Sequence, residues 1–406
     1  MAKILFLAHR VPYPPDKGEK IRALHMLEHL AERHEVWLGA LADGSVSADR
    51  LAWLEARCPV VFLPQRLRVE AAQHLAVALL TRAALSVALS ENRSLFAWCA
   101  KAYETLRPDL VFAFSSAMAA YAVGQTRAPL IVDFVDADSE KFRDYARTRR
   151  GPMRLVYARE ADRLLAFDRA AARTAKASLF VSQAELEIFA ARREEGARSL
   201  HVVGNGVDTS RFDPAAFTRT PVEPGLITFT GRMDYHPNVD AVVWFAREIF
   251  PRVRDKAANA RFRIVGAAPA PAVKALASLP GVEVTGAVED VRPFYAAAAV
   301  SVAPLRIARG VQNKVLEAMA MARPVVVTPA ALDGIDAMPG EHLLVADMPA
   351  AFADAVVAVL KGSAPPHLAA NARARVISHH AWAAHLTHLD AIIDAVLSGA
   401  LGRDRP

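Results

Sequence analysis

Short apolar runs alternate along this chain with longer stretches in which apolar residues recur every three or four positions. Lys3–His9 (KILFLAH) is such a run and predicts a buried strand. Residues 10–19 (RVPYPPDKGE) carry three prolines and a glycine and predict a loop. In IRALHMLEHLAERH, Ile21, Leu24, Leu27 and Leu30 are spaced three apart, which predicts a helix, and Glu35–Leu41 reads as strand again. Further strands are expected at Val60–Leu63, Leu110–Phe114, Leu130–Val135, Ser178–Val181 and Leu200–Val203, with a long helix near Met153–Lys176. This alternation is the signature of a doubly wound α/β domain.

The pattern breaks over 212–225 (FDPAAFTRTPVEPG), where three prolines interrupt any periodicity. A second alternation follows: strands at 226–231 and 261–266 with a helix over Asn238–Arg254 between them, then strands at Val282–Thr285, Val300–Val302 and Val325–Thr328. Amphipathic helices are expected over 349–361 and 381–398. The expected organisation is a first domain over 1–212, a linker over 213–225 and a second domain over 226–380. The helix over 381–400 is a candidate for packing back on the first domain.

Length supports two cores, since 406 residues exceed what one ordinary α/β core holds. Apolar residues make up 53% and charged residues 23%, which excludes wholesale disorder. The most apolar stretch, Ala71–Ser90, is interrupted by Gln73, His74, Thr81 and Arg82, so it predicts a packed or interfacial helix and not a span. The N-terminus lacks a signal-peptide pattern, and a cytosolic protein is expected. Cys58 and Cys99 stand far apart in sequence and outside any metal-binding spacing. A formal charge of +6 permits acidic substrates or an anionic membrane surface and is too dispersed to argue for nucleic acid. The histidines show no metal-ligand spacing.

Candidate chemistry sits in loops at the carboxyl ends of predicted strands. Gly18 follows the first strand, where a glycine lets backbone approach a ligand and Lys17 is placed to pair with phosphate; taken alone, the loop reads first as an ordinary turn. No Gly-x-Gly-x-x-Gly fingerprint accompanies it. Asn205-Gly206-Val207-Asp208 reads as a turn with positive φ. Thr230-Gly231-Arg232 ends the first strand of the second domain, and an arginine there can fork onto a diphosphate or stay on the solvated surface. The segment 306–327 (RIARGVQNKVLEAMAMARPVVV) says most. Gly310 precedes a helix whose first turn offers the amides of Val311, Gln312 and Asn313 and a positive dipole end, which is an anion site by backbone alone. Lys314 adds charge. Glu317, seven residues after Gly310 and about two helical turns on, is placed to accept hydrogen bonds from a ribose diol.

This last segment resembles the donor-binding signature of family-four retaining glycosyltransferases with the GT-B fold, in which the second acid of a Glu-x7-Glu pair precedes Ala-Met-Ala and, after a spacer, Pro-Val. Glu317, Ala318-Met319-Ala320 and Pro324-Val325 match. Asn205-Gly206-Val207-Asp208, Gly231-Arg232 and the loop at Gly18 match in order and spacing, and within the family the chain looks closest to exopolysaccharide-locus transferases of exosortase/PEP-CTERM systems. The resemblance implies two Rossmann-like domains facing each other across a cleft, a nucleotide-sugar donor held by the second, and a glycan or lipid-linked acceptor presented by the first.

Three departures stand out. Arg309 replaces the first acid of the Glu-x7-Glu pair. The lysine usual soon after Gly-Arg is absent, with His236-Pro237-Asn238 nearby, so Lys314 is the candidate for its charge. Val135 stands where the family carries a histidine, leaving Asp136 as the polar group of that loop. The resemblance thus assigns Asp136, Arg232 and Lys314 to catalysis, with Gly18, Gly231, Arg232, Gly310, Val311, Gln312, Asn313, Lys314 and Glu317 on the donor.

Asp136-Ala137-Asp138 imitates the Asp-x-Asp of metal-dependent transferases, but the expected role is a helix cap at Asp136 or Asp138. No metal or other cofactor is expected, because basic side chains and a helix dipole are available for the leaving group. Lys141–Arg154 carries six basic residues and is a candidate for peripheral contact with an anionic membrane at its inner face, or equally a solvated helix face. The rival readings are a nucleotide-sugar epimerase on the same fold and a catalytically silent nucleotide-sugar-binding protein.

Overall fold

The structure, a computed structural model, describes all residues except 16–17, 67, 82, 149–150, 193–198, 309–310 and 402–406. Lys17, Arg149, Arg150, Arg309 and Gly310 therefore lie outside the described residues. Thirteen strands form two all-parallel sheets among the described residues. The chain divides into two compact units, Met1–Gly204 with Leu386–Pro406, and Asn205–His385.

In the N-terminal unit the strands are β1 (Lys3–Ala8), β2 (Glu35–Ala40), β3 (Val60–Phe62), β4 (Leu110–Phe114), β5 (Leu130–Val135), β6 (Ala177–Phe180) and β7 (Leu200–Val202). Their spatial order is β3-β2-β1-β4-β5-β6-β7. The chain reverses direction across the sheet beside β1, so loops at the carboxyl ends of β1 and β4 border the crevice where this fold class binds ligands. Phe6 on β1 registers with Leu38 and Phe112 on its two neighbours, and its ring stacks 5.2 Å from that of Phe112. Strands buried on both faces need continuous apolar runs, which is why KILFLA and LVFAF read so plainly.

The C-terminal unit repeats the arrangement with β8 (Leu226–Thr230), β9 (Arg261–Val265), β10 (Val282–Gly286), β11 (Val300–Ala303), β12 (Val325–Val327) and β13 (Leu344–Val345), in the order β10-β9-β8-β11-β12-β13. Its core gathers Phe229, Phe245, Phe262, Phe352 and the helix residues Leu316 and Met319. The doubly wound α/β reading holds for both sheets.

Several helices depart from expectation for local reasons. The basic stretch 141–154 is not one helix: Asp138–Thr148 ends, and a new helix, Pro152–Thr174, begins after Gly151 at φ +75°. A glycine in the left-handed region followed by a proline at the first helical turn is a stop and restart. The expected Asn238–Arg254 helix is three segments: His236–Trp244, a π turn at Phe245–Ile249, and Phe250–Lys256. Pro251 has no N–H to donate back along the helix, and the π turn absorbs the defect. The apolar stretch 71–90 divides into Arg68–Leu80 and Leu85–Ala88. Among the described residues no helix is long and apolar enough to cross a membrane.

The helix Trp382–Leu397 crosses the boundary between the units. Within the N-terminal unit its Asp390 accepts from His29 Nε2 at 2.8 Å and pairs with Arg33 at 3.6 Å. Gly206 is not in the left-handed region expected of an Asn-Gly turn. It is required because a Cβ there would lie 2.5 Å from the Trp382 amide nitrogen. Asp208 closes the same turn by accepting from the amides of Ser210 (3.1 Å) and Arg211 (2.9 Å). Cys58 and Cys99 are both free and buried, and burial pushes each thiol up to about 12.

Candidate active site

In the C-terminal unit, β8 runs out at Gly231, whose amide bonds the Val265 carbonyl at 3.0 Å. Gly231 (φ +154°) and Gly266 (φ +148°) pack backbone to backbone, so close that a Cβ on Gly266 would fall 1.8 Å from the Gly231 oxygen. Two glycines at adjacent strand ends leave the sheet edge bare of side chains there. Arg232 follows and is exposed. Its guanidinium forks onto Asp234, Nε to Oδ1 at 3.1 Å and Nη2 to Oδ2 at 2.6 Å. The fork expected for a diphosphate thus has a carboxylate in it.

Asn238, at the start of the next helix and buried, accepts from Lys314 Nζ at 3.0 Å through Oδ1 and donates to the Arg232 carbonyl at 2.8 Å through Nδ2. Lys314 Nζ also reaches Gln312 Oε1 at 3.4 Å and sits 5.4 Å from the Phe229 ring centroid. Burial pushes the Lys314 ammonium down to about 8, against a smaller opposing pull from Glu317.

Lys314 and Glu317 belong to the helix Asn313–Ala320. Its N-cap residue, Gln312, makes no side-chain cap hydrogen bond. Among the described residues Asn313 Oδ1 is buried without a hydrogen-bond partner. The side chain of Val311 packs against the apolar core. One turn beyond Lys314, Glu317 Oε2 accepts from the Tyr295 hydroxyl at 2.8 Å. Tyr295 is fully buried, and its hydroxyl is shared with Thr230 Oγ1. Burial raises the Glu317 carboxyl, while the Tyr295 hydrogen bond and Lys314 pull it back.

In the N-terminal unit, Gly18 opens the helix Gly18–Ala31 and is exposed, with nothing within 4 Å of a Cβ built on it. One turn on, Arg22 is fully buried and forks onto Asp133 at 2.8 and 3.1 Å. Asp133 Oδ1 also accepts from the Val135 amide at 3.1 Å. Val135 sits at φ +65° and Ser115, at the end of β4, at φ +79°. A β-branched residue in the left-handed region is strained, and such strain concentrates at functional sites. Asp136 follows. Burial first, then Glu185 and Asp138, push its carboxyl up to about 6, while Lys141 and Arg22 oppose the rise.

Neither Asp136 nor Asp138 stands at the N-cap position. The helix opens with Asp138 itself, and the amide of the preceding Ala137 is taken by Glu185 Oε2 at 2.7 Å. The helix's cations are already paired along its own surface: Lys141 with Asp138 (3.4 Å), Arg143 with Glu140 (3.0 Å), Arg147 with Asp144 (3.3 Å).

The structure therefore brings Gly231, Arg232, Lys314 and Glu317 together through Asn238 and Tyr295, and places Gly18 and Asp136 in the N-terminal unit around Arg22 and Asp133. Sequence reasoning missed Asn238, Tyr295, Arg22 and Asp133. The signals were an arginine on the apolar face of a helix and one carboxylate inside the buried run LIVDFV.

Residues 224–362 match the family model of glycosyl transferases group 1. No curated protein sequence matches the chain. Among solved structures it is similar to sucrose-phosphate synthase from Thermosynechococcus elongatus (TM-score 0.67, 16% identity, covering 98% of this chain and 100% of that one). It is also similar to Anabaena HepE in complex with UDP (0.64, 15%, 97% and 100%). A glycosyltransferase from Rickettsia africae is a third (0.63, 15%, 98% and 98%). The chain thus has the fold of GT-B glycosyltransferases, and its C-terminal unit carries a glycosyl transferases group 1 domain.

Proposed function

We propose that this chain is a retaining glycosyltransferase that moves a hexosyl group from a nucleoside diphosphate to a glycan or lipid-linked acceptor, in exopolysaccharide assembly. The observation that carries the reading is the Lys314–Asn238–Arg232 arrangement at the start of the helix Asn313–Ala320, with Glu317 one turn further and held by Tyr295. A cation at the positive end of a helix suits a diphosphate, and a carboxylate at that distance along the helix suits a ribose diol. The solved structures of HepE with UDP and with UDP-glucose support starting from uridine donors.

In the proposed reaction the bond between the anomeric carbon and the diphosphate oxygen breaks, the acceptor oxygen bonds the anomeric carbon, and the acceptor's proton ends on the diphosphate. Lys314 and the first-turn amides of its helix stabilise charge as it builds on the leaving group. Arg232 joins them by exchanging Asp234 for phosphate. In the N-terminal unit, Asp136 orients the acceptor hydroxyl. These cations do the work a divalent ion does elsewhere, so transfer proceeds with EDTA present; loss of activity in EDTA with recovery in manganese or magnesium would assign Asp136 and Asp138 to a metal instead.

The test is a panel of nucleotide sugars. Thermal stabilisation by one nucleoside diphosphate family, followed by transfer of its sugar to an acceptor with the anomeric configuration kept, is expected. Binding without either transfer or donor hydrolysis would reduce the protein to a silent binder, and C4 or C2 inversion of the free donor would make it an epimerase.

A further inference from the structure

A half-enclosed cavity of about 360 Å³ lies at the amino end of the N-terminal sheet, a size within the range of small-molecule sites. Three stretches wall it: the loop Thr126–Pro129 leading into β5, the junction at Thr174 and Lys176 leading into β6, and the end of the helix Trp382–Leu397 with Gly399. All belong to the N-terminal unit. The Lys176 amide bonds the Leu130 carbonyl at 2.7 Å, which holds the two strand starts side by side. Gly399, at φ +70°, ends the last helix, its amide bonding the Val396 carbonyl at 3.2 Å. Val135, beside Asp136, closes the other end of β5, roughly 16 Å along the strand from Leu130. The cavity is therefore separate from the candidate active site.

Charge and hydrogen-bonding capacity select the occupant. Arg127 and Lys176 are the charged residues of the lining, and no acid joins them. Among the described residues neither side chain has an ion pair or hydrogen-bond partner. Two helices end at the cavity, but the roughly half negative charge at each carbonyl end sums to about one, against two full cations. The site stays net positive. Thr126 Oγ1 accepts from the Ala128 amide at 3.0 Å and still has its own proton to donate. Thr174 Oγ1 spends its proton on the Ala170 carbonyl at 3.1 Å and keeps lone pairs to accept with. Ala122, Leu130 and Val396, all buried, supply an apolar floor.

We propose that this cavity is a second ligand site, which binds a small phosphorylated sugar apart from the donor. Arg127 and Lys176 hold the phosphate, Thr126 donates to it, Thr174 accepts from a sugar hydroxyl, and the ring lies on the apolar floor. A phosphate monoester carries about −1.5 to −2 near pH 7 and so answers both cations, whereas a carboxylate answers one. The bound molecule bridges the last turn of Trp382–Leu397 to the starts of β5 and β6, tying the C-terminal helix to the sheet. The site stands whether or not the donor assignment above is right.

Isothermal titration of the full chain with glucose 6-phosphate, with no nucleotide present, tests it. Saturable binding is expected, with glucuronate about tenfold weaker and glucose weaker still. The double variant Arg127→Gln, Lys176→Gln should lose about tenfold or more in affinity. Arg127→Gln alone, at an exposed position, gives the same reading should the pair disturb folding. Lys314→Ala should bind glucose 6-phosphate as the unaltered chain does. Hydrogen exchange should slow at the amides of Gly399, Ala400 and Leu401 when the sugar phosphate is added. No saturable binding, or binding that survives the double variant, overturns the proposal. Loss of binding in Lys314→Ala, with exchange slowed only in Asn313–Ala320, overturns it too and gives the phosphate to the donor site. Glucuronate binding as tightly as the phosphate ester would reject the phosphate assignment.

Discussion

The ammonium of Lys314 lies 3.0 Å from the side-chain oxygen of Asn238, and the other end of the same amide holds the Arg232 carbonyl at 2.8 Å. A single buried side chain therefore sets the position of a cation on one element and the strand-end turn on another. Gly231 cannot take a side chain without disturbing Asn238, since a Cβ on that glycine would stand 2.7 Å from Asn238 Nδ2.

Lys314→Ala should lower turnover by about 10²–10³, the usual cost of one pre-organised charge contact to a leaving group. Asn238→Ala keeps the cation but frees it, so we expect a smaller loss, about tenfold in kcat with little change in nucleoside diphosphate affinity. Steady-state kinetics with saturating donor separate the two. Near-normal turnover in Lys314→Ala would remove this lysine from the reaction and leave Arg309 as the candidate cation.

Glu317→Ala should weaken nucleotide and donor binding together by about tenfold or more, since a hydrogen bond to a charged group contributes about 1.5–3 kcal/mol. Tyr295→Phe leaves the carboxylate in place but strips it of the hydroxyl at 2.8 Å. The buried Glu317 then lacks a donor, which costs about 1–3 kcal/mol of stability. Isothermal titration with the nucleoside diphosphate and denaturant melts should therefore show an affinity loss dominating in Glu317→Ala and a stability loss in Tyr295→Phe.

Arg22 and Asp133 form an ion pair with neither side chain exposed. Removing one partner strands the other charge, so Arg22→Ala should cost about 3–5 kcal/mol in urea melts, whereas Arg22→Met with Asp133→Leu should cost much less. Val135→Gly should relieve the strain of φ +65° and offset part of the buried surface it gives up. A double variant as unstable as Arg22→Ala would show that the pair's hydrogen bonds to the β5 turn matter more than its charge balance.

What the sequence disclosed follows from the physics of a parallel sheet. Strands such as KILFLA and LVFAF are buried on both faces and must be continuously apolar, so their positions were plain. Helix interruptions were not, because Gly151-Pro152 and Pro251 act through single φ values and one missing N–H inside otherwise periodic stretches. Lys314 and Glu317 were visible because they sit on the first turns of one helix, where local spacing fixes their direction. Asn238 and Tyr295 were not, since their partners stand 76 and 22 residues away in sequence and only the sheet order brings them together. Arg22 and Asp133, 111 residues apart, are the same case.

The pH dependence of transfer draws on two groups shifted in opposite directions. Burial and the neighbouring carboxylates of Glu185 and Asp138 hold Asp136 up to about 6, so its ionised form is gained as pH rises through that value. Burial holds Lys314 down to about 8, so its cation is lost as pH rises further. If Asp136 must be ionised to orient the acceptor and Lys314 charged to stabilise the leaving diphosphate, the rate rises through pH about 6, falls through about 8 and peaks between them. Asp136→Asn should flatten the acid limb at reduced turnover. Lys314→Arg should push the alkaline limb beyond the measurable range, because a guanidinium stays charged. Asn238→Asp sets a carboxylate against the ammonium and should move the alkaline limb to higher pH. An alkaline limb that stays at the same pH in both the Lys314→Arg and Asn238→Asp variants would show that another group titrates there, and with it that Lys314 is not the cation facing the leaving group.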